Sequence, residues 1–139
     1  MKEQFTLSVK RPREEVFKDL TDIEQFARLS QGKVNVVREG ENFRISASVP
    51  GMPIQDVVCR TTVWDPPRTC VRVFDVKDLP ITLGLTFSEE GTGTKIAVDF
   101  ELVAQSMMYK MMLPMLERKL KADKDKALAQ LQNRLDAAA

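Results

Sequence analysis

SMMYKMMLPMLERKLKADKDKALAQLQNRL, residues 106–135, reads as a long terminal helix with two chemically different parts. The first part carries Met107, Met108, Met111, Met112 and Met115, most of the chain's methionine. Methionine is unbranched, polarizable and tolerant of irregular gaps. Such a cluster, where a helix has to cover a sheet, predicts either a floor that reshapes around an apolar guest or filler for an awkward core. Beyond Glu117 the helix becomes amphipathic, with Leu120, Leu128, Leu131 and Leu135 set among Lys121, Asp123, Lys124, Asp125 and Lys126. Mixed charge of that kind marks a solvated face held by short-range pairs. Pro114 lies near the methionines, and inside a helix it removes a hydrogen bond and crowds the preceding turn. A kink is expected there unless Met107 to Leu113 form a helix of their own.

Upstream of this helix the periodicity changes. Strand-like runs are predicted over Val34 to Arg38, Asn42 to Val49, Ile54 to Trp64, Thr69 to Val76, Ile81 to Phe87 and Lys95 to Leu102. The breaks between them are Gly40-Glu41, Pro50-Gly51-Met52-Pro53, Asp65-Pro66-Pro67, Asp78-Leu79-Pro80 and Glu90-Gly91-Thr92-Gly93-Thr94. Each supplies fixed or permissive backbone angles, and connections this short imply an antiparallel meander. At the start, Phe5, Leu7 and Val9 alternate with polar residues, so a further strand is expected from about Lys2 to Lys10. Pro12 suits the first turn of a helix, where Glu14 and Glu15 favour the positive end and Val16, Phe17 and Leu20 make the apolar stripe. Thr21 or Asp22 can cap a second short helix with Ile23, Phe26, Ala27 and Leu29 inward and Gly32 at its end.

At 139 residues one domain, 1–139, is expected, since neither a repeat nor a composition shift divides the chain. A formal net charge of +1 gives no broad field to attract a polyanion, which argues against nucleic acid as a partner. No run of about 18 apolar residues could span a bilayer, and the first residues lack an apolar signal core, so a cytoplasmic location without membrane insertion is expected.

The chain contains no histidine, which removes the commonest general base and the commonest zinc ligand. No metal or other cofactor is expected, and Gly91-Thr92-Gly93-Thr94 lacks the lysine and following helix of a phosphate loop. Cys59 and Cys70 fall on two arms of a hairpin turned at Asp65-Pro66-Pro67-Arg68. If Trp64 faces Thr69, with no bulge, the sulfurs are about 13 Å out of register and remain free thiols. In that register Arg60 and Asp75 are diagonal neighbours on one face and can pair, either toward solvent or into an apolar interior. With that pair toward solvent, Arg72 shares the opposite, inward face with Cys59, Thr61, Val63, Cys70 and Phe74, and is then the best placed group to meet a polar part of a ligand. Trp64 and Tyr109, each unique in the chain, could line a pocket mouth.

A strand, two short helices, six antiparallel strands and a long closing helix follow one another in the order of the helix-grip fold. The chain resembles the START-like, or SRPBCC, superfamily, which includes polyketide cyclases, birch-pollen-allergen-like proteins and a family of carbon monoxide dehydrogenase accessory proteins. The resemblance rests on residues 9–22 (VKRPREEVFKDLTD), on Phe26, on the Asp65-Pro66-Pro67-Arg68 turn and on Gly91-Thr92-Gly93-Thr94 before the last strand. It implies an α+β helix-grip fold in which a seven-stranded antiparallel curved sheet wraps the C-terminal helix around an apolar cavity. The candidate walls are then Phe43, Ile45, Phe74, Leu83, Leu85, Val98, Phe100, Met108, Met111, Met112 and Met115, with Arg72 and Tyr109 as polar members. The function so implied is non-enzymatic binding of an apolar or amphipathic small molecule by a monomer or homodimer. The alternatives are a cyclase or dehydratase working through Arg72, Asp75 or Tyr109, and an accessory or assembly factor resembling those of carbon monoxide dehydrogenase.

Overall fold

The computed structural model describes residues 1–29, 34–49 and 52–137. Strand β1 (Lys2–Val9) leads into helices α1 (Arg13–Thr21) and α2 (Ile23–Leu29). Six strands follow: β2 (Val34–Glu39), β3 (Asn42–Val49), β4 (Met52–Asp65), β5 (Thr69–Asp75), β6 (Ile81–Glu90) and β7 (Gly93–Leu102). Helix α3 (Met107–Ala137) closes the chain. The seven strands form one antiparallel sheet in the order β1-β7-β6-β5-β4-β3-β2, so β2 to β7 are a meander and β1 adds to its last strand. This is the α+β helix-grip arrangement expected from the sequence. The predicted helix end at Gly32, the turn residues Pro50 and Gly51, and the inward placement of the Phe26 and Leu29 side chains lie outside the described residues.

Local chemistry accounts for the corners. Pro12 precedes α1 instead of entering it, its carbonyl accepting the first helical bond from the Val16 N–H at 3.1 Å. Asp22 caps α2 by accepting from the Gln25 N–H at 3.0 Å, while the Thr21 hydroxyl turns back to the Phe17 carbonyl at 2.7 Å. Gly93 is dictated by sterics: a Cβ there would sit 2.4 Å from the Val9 carbonyl oxygen of the neighbouring strand. Gly91, at φ +61°, turns the β6–β7 hairpin.

The β4–β5 hairpin contains a bulge that the sequence does not announce. Cys59 lies opposite Phe74 as expected, but the register shifts between Thr61 and Val63, and Trp64 ends opposite Cys70. The consequence is an exchange of faces: Val63 moves to the outer face, and Trp64 moves to the inner one, where its ring meets Phe17 edge-on at 5.2 Å while staying exposed at the margin. Cys59 and Cys70 are both buried free thiols.

Two apolar clusters lie between the sheet and α3. The larger gathers Leu7, Val9, Val16, Phe17, Phe87, Ile96 and Val98 under Leu135, with Leu128 and Leu131 packed against it. The smaller, at the other end of the helix, joins Leu79, Leu102 and Tyr109, with Phe100, Met112 and Leu113 against them. Each fully buried residue of this kind contributes about 1.5–3 kcal/mol. The C-terminal end of α3 is also tied by polar contacts. Asp136 accepts the Lys10 N–H at 2.9 Å, and Arg11 donates to the Leu135 carbonyl at 3.1 Å while pairing with Asp19 at 2.5 Å. Helix α3 runs through Pro114 as one element, so Met107 to Leu113 do not form a separate helix. No helix among the described residues is long and apolar enough to cross a membrane.

Candidate functional site

Between the larger cluster and the open side of the sheet the side chains leave a cavity of about 650 Å³. Its sheet wall is built by alternation. Val36 on β2, Ile45 on β3 and Val57 on β4 continue across Cys70, Arg72 and Phe74 on β5 to Ile81, Leu83 and Leu85 on β6. Helices α1 and α2 supply Asp19, Leu20, Ile23 and Gln25 at one margin, with Asp22 between them, and α3 supplies Leu131, Arg134 and Leu135 at the other. The volume falls within the range of small-molecule pockets, and the lining is mainly aliphatic.

The polar groups are few and most are already engaged. Asp19 is held by Arg11, and Asp22 by its cap to α2. Burial pushes the Cys70 thiol up, against the opposing effect of Arg72, and takes the Cys59 thiol behind it up to about 11. Both thiols therefore stay protonated and unreactive near neutrality. Two cations line the cavity, Arg134, exposed at its margin, and Arg72. Arg72 is buried, donates from Nη1 to the Thr21 carbonyl at 2.6 Å and from Nε to the Thr61 hydroxyl at 3.2 Å, and lies near the rings of Phe43 and Trp64. Through Thr21 it satisfies a carbonyl at the C-terminus of α1, where a cation is favoured, and so fixes the corner that forms the cavity's margin.

Of the residues singled out from sequence, Ile45, Arg72, Phe74, Leu83 and Leu85 line this cavity. Phe43 lies behind Arg72, in a recess that opens to the surface. Val98 and Phe100 are on the inner face but are consumed by packing in the larger and smaller clusters. The methionines do not form the cavity floor. Met112 packs with Tyr109 in the smaller cluster, whereas Met108, Met111 and Met115 are exposed, Met111 to 75%. The reason is helical phase: Tyr109, Met112 and Leu113 take the inward face, and 107, 111 and 115, four apart, share the opposite one. Tyr109 is buried at that end and does not line the cavity.

The apolar residues that sequence reasoning missed are Leu20, Ile23, Val34, Val36, Val57, Val76, Ile81 and those of the last turns of α3. The Leu128, Leu131, Leu135 spacing was the available signal. It marks a helix face that must be buried.

The groups considered for acid–base chemistry do not converge. Asp75 lies on the outer face, where Arg60 grips it with bonds of 2.6 and 3.0 Å, and that hydrogen-bonded guanidinium holds its carboxyl below the usual range. Arg72 is in the cavity and Tyr109 is in the far cluster. Among the described residues no three His, Cys, Asp or Glu side chains come together to hold a metal ion.

Solved structures with the same fold span the whole chain. TTHA0849 from Thermus thermophilus is 21% identical, with a TM-score of 0.71 over 100% of this chain and 99% of that one. Ara h 8.0201 is 12% identical, with a TM-score of 0.69 over 97% of each chain. DR_A0006 from Deinococcus radiodurans is 12% identical, with a TM-score of 0.67 over 100% of both. At these identities the likeness is one of fold. No curated protein matches the chain significantly. Residues 3–136 match the family described as polyketide cyclase / dehydrase and lipid transport, and the chain belongs to that family, within the START-like superfamily.

Proposed function

We propose that the chain acts as one helix-grip domain that binds an apolar or amphipathic small molecule, without catalysing its conversion, in the cavity between the β2–β6 face and the C-terminal half of α3. The observation that carries this reading is a cavity of about 650 Å³ walled by Ile45, Phe74, Leu83, Leu85 and Leu131. Apolar surface removed from water gains about 25 cal/mol per Å², so a guest burying roughly 250 Å² there gains about 6 kcal/mol before the costs of association. The lipid transport in the family's description fits a carrier. Its cyclase and dehydrase activities would need at least two groups acting at one point. Of the three candidates, only Arg72 lines the cavity.

Nile red, a neutral solvatochromic dye, tests the reading. It is expected to show a saturable blue-shifted signal with the natural chain and at least tenfold weaker binding to Leu83→Trp, which fills the cavity while remaining apolar. Dye fluorescence that never saturates, together with native mass spectra of freshly purified protein showing bare polypeptide, would contradict it.

A further inference from the structure

The cavity wall contains a buried cation, Arg72, that no carboxylate pairs with among the described residues. Arg72 is 8% exposed, and among the described residues its two hydrogen bonds go to neutral oxygens, the Thr21 carbonyl and the Thr61 hydroxyl. Nη2 donates to no acceptor among these residues, and no carboxylate pairs with the guanidinium. The acids at the cavity margin are already committed, Asp19 to Arg11 and Asp22 to the cap of α2. By contrast Arg60, on the adjacent strand and the opposite face, holds Asp75 with two bonds although both are half exposed. A buried ion needs compensation far more than an exposed one. The arrangement is thus reversed from what stability alone would select.

Access completes the picture. The same guanidinium borders a second recess, open to the surface and lined by Lys18, Arg28 and the Arg38–Glu24 pair. With Asp22 and Glu24 set against Lys18, Arg28, Arg38 and Arg72, the positive charges there outnumber the negative. Arg72 lines the cavity as well as this recess, so an anionic group within the cavity can meet it while an apolar chain lies along Phe74, Leu83 and Leu85.

We infer that the ligand class is a monocarboxylate amphiphile whose carboxylate docks on the free edge of Arg72. This rests on the reading of the cavity as a hydrophobic-ligand site and specifies the polar end of what it holds. One carboxylate balances one guanidinium, and its planar pair of oxygens suits the planar donors.

Decanoate and 1-decanol, equal in chain length, separate the two ideas in calorimetric titrations. The natural chain should bind decanoate at least tenfold more tightly than decanol, and Arg72→Met should abolish that preference while Arg72→Lys keeps part of it. Because Arg72 also holds the end of α1, a second measurement uses the natural chain alone: the ¹³C-carboxyl resonance of bound decanoate should stay ionised to lower pH than that of free decanoate. A carboxyl buried away from any cation would titrate in the opposite direction. Equal affinity for acid and alcohol, or a bound carboxyl that titrates above its free value, would overturn the inference and leave the cavity reading intact. Failure of both probes to bind would overturn the two together.

Discussion

The two ends of α3 differ in apolar content, the N-terminal end being the richer, yet it is the sparser C-terminal end that packs its apolar side chains most deeply. At the C-terminal end Leu128, Leu131 and Leu135 face the sheet, Leu135 is almost fully buried, and Asp136 and the Leu135 carbonyl are tied to Lys10 and Arg11. At the N-terminal end Tyr109, Met112 and Leu113 anchor the helix while Met107, Met108, Met111 and Met115 stand in solvent. The contrast teaches that residue type marks a helix as apolar, but phase decides which side chains meet the sheet. An exposed methionine contributes little, whatever its reputation for lining pockets.

Substitutions can break that contrast. The largest effect is expected at Leu135, where Leu135→Ala should cost about 2–4 kcal/mol in urea unfolding, against under about 0.5 kcal/mol for Met111→Ala. Equal losses would mean that the methionine face is covered by something the isolated chain supplies. Next in size are the polar ties. Arg11→Met strips Asp19 and the Leu135 carbonyl of their partner and should cost about 1–3 kcal/mol. At the opposite end Ser106→Ala, which removes the cap on the Tyr109 N–H, should cost about 1 kcal/mol. A larger loss at Ser106 than at Arg11 would reverse the order of the two ends.

The smallest effect tests the sheet as a control, away from both ends of the helix. Asp75 has its folded carboxyl held below the usual range by Arg60, so the stability it contributes is present above that range and is withdrawn as the pH falls through the folded value. Because both partners are well exposed, Asp75→Asn should only flatten the acid limb of the stability curve slightly, leaving the midpoint at pH 7 nearly unchanged. A large shift at neutral pH would show that this outer pair supports the cavity wall.

Much of the architecture was legible because strand and helix periods are written directly in the chain. Phe5, Leu7 and Val9 gave β1, the turn dipeptides gave the meander, and alternation on β4 and β5 put Arg72 and Phe74 on one face and Arg60 and Asp75 together on the other, while which of the two faces is inward came only from the structure. Two things were hidden. The bulge between Thr61 and Val63 depends on how the hairpin relieves its twist, and one extra residue put Val63 on the outer face and Trp64 on the exposed margin of the inner one. The site was half legible for a related reason. Periodicity shows which residues share a face, and Val98 and Phe100 do share the inner one, but where that face is packed solid and where it stays open depends on the path of α3 across the sheet. That path is set by contacts between residues far apart in the chain, such as Arg11 with Leu135.

The most direct test of the account is a methyl NMR titration with 1-decanol, in which leucine, isoleucine and methionine methyls report separately. Saturable shifts at Ile45, Leu83, Leu85 and Leu131, with Met111 and Met115 unmoved, are the predicted result. Shifts confined to Met108, Met111 and Met115, with the cavity methyls silent, would contradict it.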